Sequence, residues 1–201
     1  MSVKLKASRL AVVLTALLAA SAPAQSHDLS TEQISRLKAG DALVAVNADD
    51  GEADGHIEAA IDIAAPPARV FAIMLDCNHA MKFLSNLKSC KILEVSPDGL
   101  TDLREHRSKW LSILPETVSV FRSTYVKDRE IRFEKVRGDF RFLKGSWQLE
   151  PIQNGAATRV FYDVRVGINA PVPGFMIRGA LEQDVPKVLK GLRDEVTKKG
   201  P

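Results

Sequence analysis

The sequence has few of the residues on which catalysis and metal binding usually depend. It contains two cysteines and four histidines in 201 residues, and neither set has the spacing of a zinc or redox motif. Gly-x-Ser-x-Gly, His-Glu-x-x-His and glycine-rich phosphate-binding sequences are also missing. No metal site and no cofactor are therefore predicted.

Long hydrophobic runs are scarce as well, and the one at residues 10–20 is short. It follows Lys4, Lys6 and Arg9 and precedes Ala22-Pro23-Ala24. A basic region, a short apolar region and a small-residue cleavage site are typical of a secretory signal peptide. We predict that residues 1–24 are a signal peptide, cleaved after Ala24, and that the protein is periplasmic or secreted. An uncleaved anchor is the alternative, although the run is short for a membrane span.

Excess charge is missing once this segment is set aside. The formal net charge is +3, and residues 1–24 carry three positive charges and no acidic residue, so the rest of the chain is formally neutral. This balance does not indicate a nucleic-acid partner.

Cys77 and Cys90 would meet an oxidising environment after export, which favours a disulfide between them. Two separately buried thiols remain the alternative.

A long amphipathic helix is predicted at the C-terminal end, over residues 173–199. Its aliphatic residues recur at steps of three and four, which places them on one stripe. The stripe consists of Ile177, Leu181, Val185, Leu189, Leu192 and Val196. A stripe this long needs a large apolar surface on which to pack.

Most of the chain before this helix has the pattern of β-strands. Residues 56–63 alternate, with Ile57, Ala59, Ile61 and Ile63 on one face of a half-buried strand. Six more strands, separated by turn residues, are predicted at 90–95, 101–110, 117–125, 130–136, 143–151 and 159–168. The short turns between them predict consecutive antiparallel hairpins.

Three short helices complete the predicted elements. Ser30 and Gln33 form a capping box that starts a helix over residues 31–39, before a short strand at 42–46. A second helix begins at Pro67, and a third runs from 80 to 85 with Met81, Phe83 and Leu84 as its apolar anchors.

An acidic turn at residues 47–55 has the first half of a calcium-binding loop. Ile61 stands where such a loop needs a bidentate glutamate, so a solvated turn is the preferred interpretation.

The predicted class is α+β, with one curved antiparallel sheet wrapped around the C-terminal helix. The element order resembles the START-like superfamily, especially its polyketide cyclase/dehydrase and coenzyme Q-binding groups. The matching segments are 57–71, 83–87, 145–149 and the closing helix. The resemblance implies a helix-grip domain over residues 55–199, preceded by an extension at 25–54. Members of these groups are usually not exported, so the signal peptide is a departure.

Such a fold leaves a space between the sheet and the helix that suits an apolar ligand such as a lipid, a quinone or a polyketide-like molecule. The predicted lining residues are Trp110, Val120, Phe133, Trp147, Tyr162, Val164, Met176, Leu181 and Val185. The same residues would equally fill a closed core, in which case the chain would act as a protein-interaction module.

An enzyme of the cyclase or hydratase kind is the other alternative. It would need polar groups with shifted pKa values inside the cavity, and the residues considered for this are Glu105, Arg122, Tyr125 and Tyr162. Glu105 and His106 are adjacent on a strand and therefore point to opposite faces. The main hypothesis is a binding protein whose partner is a hydrophobic small molecule. Transient membrane contact and the oligomeric state are left open.

Overall fold

The computed structural model describes residues 27–48, 54–109, 116–168 and 174–198. Its helices are α1 (Thr31–Lys38), α2 (Pro67–Leu75), α3 (Cys77–Phe83) and α4 (Gly174–Thr197). Its strands are β1 (Leu43–Ala48), β2 (Asp54–Ile63), β3 (Leu87–Val95), β4 (Thr101–Ser108), β5 (Thr117–Val126), β6 (Glu130–Gly138), β7 (Phe140–Ile152) and β8 (Ala157–Ile168). Among the described helices, none is long and apolar enough to cross a membrane.

All eight strands belong to one antiparallel sheet. Their order is β1-β2-β8-β7-β6-β5-β4-β3, so β3 to β8 form a meander and β2 pairs with the last strand. The predicted order of one strand, two short helices, six strands and a long helix is confirmed. A curved antiparallel sheet with a C-terminal helix is the helix-grip architecture that the sequence predicted.

The main core lies between the concave face of the sheet and α4. The predicted stripe is buried from Leu181 to Val196, and Leu189, Leu192 and Val196 have no exposed surface. On the sheet side, the alternating residues of β2 meet this helix, and Ile61 and Ile63 are also fully buried. Each element therefore covers the apolar face of the other, as the two patterns required.

A second, smaller core lies on the outer face of the sheet under α1. Leu37 of α1 packs there with Leu43, Ala60 and Phe161. The capping box is confirmed, because the Gln33 amide donates to Ser30 Oγ and the Ser30 amide donates to the Gln33 side chain. Ala60 is buried on the face of β2 opposite to Ile57 and Ile61, because α1 covers this part of the outer face.

The third helix differs from its prediction in position and in its buried face. It begins at Cys77, because the Asp76 carboxylate accepts a hydrogen bond from the Asn78 amide at 2.7 Å and caps the helix. Ala80 and Phe83 are its buried residues, whereas Met81 is 42% exposed. Met81 is therefore not an anchor, because Ala80 and Phe83 occupy the buried face of the helix.

Candidate functional site

A cavity of about 230 Å³ lies between the concave face of the sheet and α4. Most of the side chains around it are apolar, and α2 and α3 supply part of the wall through Met74, Ala80 and Phe83. Six of the residues predicted to line a cavity do surround it: Phe133, Trp147, Tyr162, Val164, Leu181 and Val185. That these residues contact a ligand stays a prediction.

Three other predicted lining residues are not placed there. Val120 is fully buried, but it does not line the cavity, because the residues of β5 that do so are the odd-numbered ones from Thr117 to Tyr125. Trp110 lies outside the described residues. Met176 belongs to α4, but its side chain is outside the described part of the chain.

Side chains point alternately to the two faces of each strand, and of the four residues that were considered for catalysis only two face the cavity. Tyr125 and Tyr162 face the cavity. Arg122 is exposed on the outer face of the sheet. Glu105 is paired with Arg107 at 3.1 Å, on the strand face opposite to His106. Arg122 and Glu105 are therefore not cavity groups.

A buried ion pair that the sequence analysis missed lies at one end of the cavity, where Arg104 forms part of the wall. Asp102 and Arg104 are 4% and 5% exposed, and Arg104 Nε donates to Asp102 Oδ2 at 3.0 Å. The same guanidinium donates to the Tyr125 hydroxyl at 3.2 Å and to the Leu75 carbonyl at 3.3 Å. Because Asp102 and Arg104 neutralise each other, the pair adds polarity to the wall without adding net charge.

One histidine and two tyrosines of the cavity wall are held in their uncharged forms at neutral pH. Burial lowers the pKa of His106 to about 4, and the nearby Arg104 charge acts in the same direction. Burial raises the pKa of Tyr125 to about 12, and it also raises the pKa of Tyr162. A general acid or base works best with a pKa near the working pH, and His106 and Tyr125 are both shifted away from neutrality.

A row of aromatic rings crosses the floor of the cavity. His106 meets the Phe121 ring edge to face at 4.8 Å, and Phe121 lies 6.0 Å from Phe133. The row continues to Tyr162 at 6.5 Å, and Tyr162 is stacked on Trp147 with ring centroids 3.9 Å apart. The cavity therefore offers flat aromatic surface on the side of the sheet.

Gly145 makes room for the middle of this row. A Cβ atom at this position would lie 2.8 Å from the tip of the Phe133 ring and 2.9 Å from Val164 Cβ, and it would also collide with the Asp163 carbonyl oxygen. Only glycine leaves the space that Phe133 occupies on the way to Tyr162.

A disulfide joins the start of α3 to the edge strand β3. It links Cys77 and Cys90, whose Cα atoms are 5.4 Å apart. On its other side α3 packs closely against α4. A Cβ atom added to Gly191 of α4 would lie only 3.3 Å from the Phe83 carbonyl oxygen. The helix that carries Ala80 and Phe83 into the cavity wall is therefore fixed on two sides.

A charged cluster adds a second attachment between α3 and α4. The side chain of Glu195 is 4% exposed and lies 2.7 Å from His79 Nδ1, 3.0 Å from Lys82 Nζ and 2.7 Å from Lys198 Nζ. Hydrogen bonds from Lys198, His79 and Lys82 lower the pKa of Glu195 to about 2. This carboxylate is ionised in the folded protein, where it has the role of a structural link.

Outside the cavity, β2 and β8 bring together three potential metal ligands. The ligand atoms of His56, Glu58 and Asp163 all lie within 4.8 Å of one another. The His56 and Asp163 side chains are already partners at 3.0 Å, and Glu58 is exposed. The sequence does not suggest this proximity, because strand pairing joins positions that are far apart in the chain. The contact is a hydrogen-bonded His56–Asp163 pair on the outer face of the sheet.

The architecture and the mainly apolar cavity define the class of helix-grip proteins with a small-molecule cavity. A family model described as polyketide cyclase / dehydrase and lipid transport matches residues 63–193, and the chain belongs to this family. The description covers two activities that concern hydrophobic small molecules, and it does not decide between them.

Solved structures with the same fold include both a lipid transfer protein and an aromatase/cyclase. A STAR-related lipid transfer protein from Xanthomonas axonopodis is 17% identical, with a TM-score of 0.65 over 78% of this chain and 94% of that one. An aromatase/cyclase from Streptomyces sp. R1128 is 14% identical, with a TM-score of 0.57 over 71% and 91%. A START superfamily protein from Mycobacterium smegmatis is 19% identical, with a TM-score of 0.62 over 70% and 96%. No curated protein matched the sequence. At these identities the similarity establishes the fold alone.

Proposed function

We propose that this chain is an exported binding protein that carries a hydrophobic small molecule in the cavity between its sheet and α4. The cavity is the observation that supports this most directly, because its walls are mainly apolar and only a few polar groups converge on it. The family contains lipid-transport and polyketide-processing members, so a lipid, a quinone or a polyketide-like molecule has the right chemistry.

Two observations favour binding over catalysis. The pKa of His106 is lowered to about 4 and that of Tyr125 is raised to about 12, so neither group exchanges protons readily near neutral pH. The Arg104 guanidinium is already engaged by Asp102 and Tyr125. These groups suit the recognition of a ligand better than its chemical conversion.

Export is supported by the sequence of residues 1–24 and agrees with the disulfide between Cys77 and Cys90. Intact mass of the protein recovered from the periplasm or medium tests this, and a chain that begins at Gln25 is expected. An exported protein that keeps residues 1–24 would contradict the proposal.

Ligand carriage is tested by native mass spectrometry of protein purified from its own host. We expect a bound small molecule in the wild type. Val188 lines the cavity and is half-buried, so Val188→Trp should fill the space and remove the ligand. Lys190→Trp places the same side chain on an exposed position of the same helix and should keep the ligand. Equal ligand occupancy in both variants would show that the ligand binds elsewhere.

A further inference from the structure

His106 and Ser119 form a pair inside the cavity. They are directly opposite each other in the β4–β5 ladder, and both line the cavity. Side chains at directly opposed positions of an antiparallel pair have Cβ atoms about 4.5–5.5 Å apart. Polar atoms on these two side chains can therefore reach the same small group in the cavity.

Both side chains carry a buried polar atom without a partner. Neither His106 Nε2 nor Ser119 Oγ has a hydrogen bond to any described residue. Ser119 is 4% exposed, so water at the protein surface does not satisfy it. Buried polar atoms in folded proteins nearly always have a partner, so two adjacent exceptions that face one cavity form a candidate contact point for a polar ligand group.

The electrostatics of this end of the cavity decide which kind of group fits. His106 is uncharged at neutral pH, because its pKa is lowered to about 4 by burial and by Arg104. Among the described residues that line the cavity, Arg104 is the only cation, and Asp102 already neutralises it. A carboxylate would be buried there without a counter-ion, which is strongly unfavourable, whereas a neutral oxygen would not.

The size and the walls of the cavity restrict the rest of the ligand. Its volume of about 230 Å³ lies below the roughly 300–1,000 Å³ of typical ligand pockets. The aromatic row that begins at Phe121 and ends at Trp147 offers ring faces and edges along one wall. A compact molecule with rings uses this surface more fully than a long acyl chain does.

We propose that His106 Nε2 and Ser119 Oγ jointly bind one neutral oxygen of the ligand, so that the cavity selects compact ring-bearing alcohols, phenols or ketones over carboxylates such as fatty acids. This inference rests on the proposed binding function and names the chemical class of its ligand. His106 is the specificity-determining residue in this arrangement, since it can donate or accept a hydrogen bond according to its tautomer.

Three probes that share one ring system test the proposal by isothermal titration calorimetry on the mature protein. They are 2-naphthol, which has a neutral oxygen, naphthalene, which has none, and 2-naphthoate, which has a carboxylate. The wild type should bind 2-naphthol about tenfold more tightly than either of the others, as expected for one or two net hydrogen bonds. Ser119→Ala and His106→Phe should each weaken 2-naphthol about five- to tenfold and leave naphthalene within about twofold.

Thr124→Val is the matched control, because it removes a hydroxyl from the exposed face of the same strand and should leave all three affinities unchanged. If the wild type binds naphthalene or 2-naphthoate as tightly as 2-naphthol, the proposal is wrong although the protein still binds ligands. Equal weakening of 2-naphthol and naphthalene in the two variants would also overturn it. If none of the probes binds and a fluorescent fatty acid does not bind either, the binding function itself fails.

Discussion

Replacing Gly145 by alanine tests whether the aromatic row depends on a glycine in β7. The added Cβ would lie 2.8 Å from Phe133, 2.9 Å from Val164 Cβ and too close to the Asp163 carbonyl oxygen. Phe133 can rotate away, but the carbonyl oxygen belongs to the backbone of the neighbouring strand and cannot move without distorting the sheet. Overpacking of this kind costs about 1–3 kcal/mol, so Gly145→Ala should lower the free energy of unfolding by that amount.

Gly179→Ala is a matched control for the same chemical change. Gly179 lies inside α4, and a Cβ atom there would have no neighbour within 4 Å. Alanine is favoured over glycine in a helix by up to about 1 kcal/mol, so this variant should be as stable as the wild type or slightly more stable. Urea unfolding with equal m-values should separate the two variants by about 1–4 kcal/mol. A Gly145→Ala protein as stable as the wild type would refute the reasoning, because it would mean that this part of the sheet is loosely packed.

Two further predictions concern α4. Val185→Arg buries a charge beside the cavity and should lower the free energy of unfolding by several kcal/mol. Lys190→Glu, on the exposed side of the helix, should change it by no more than about 0.5 kcal/mol. Equal urea midpoints for the two variants would contradict the packing of α4. The Glu195 contribution is present above its unfolded pKa of about 4.5 and is lost as the pH falls towards its folded pKa of about 2, since that pKa is lowered on folding. Glu195→Gln should therefore be less stable than the wild type at pH 7 and approach it near pH 2 in urea unfolding; a constant difference across this range would exclude the ionised link.

The fold could be predicted because its main signals are local and periodic. The capping box at Ser30, the alternation in β2 and the stripe from Leu181 to Val196 each depend on neighbours within a few residues. The apolar face of β2 and the apolar stripe of α4 each need a surface on which to pack, and they pack against each other in one core. The start of α3 was predicted three residues too late, because its cap is the single residue Asp76, which directly follows α2.

The polar end of the cavity could not be predicted from the pattern of β4. Asp102, Arg104 and His106 alternate on one strand face, and alternating polar residues normally mark the solvent side of a sheet. In the structure that face of β4 is the concave one, and it lines the cavity instead of facing solvent. Val120 was misplaced because an apolar residue was assumed to face the cavity, whereas Val120 is buried on the other face of β5.

The unpaired atoms of His106 and Ser119 also bear on the alternative of a closed core. An unsatisfied buried donor or acceptor costs about 1–3 kcal/mol of stability. In a filled core, replacing His106 and Ser119 by apolar side chains of similar size would remove this cost. A chain whose role was only to present its outer surface would gain stability from such a replacement. A chain that receives a polar ligand group at this point needs both atoms, because the ligand satisfies them when it binds. The position of the two atoms in a mainly apolar cavity therefore favours ligand binding over a closed interaction module.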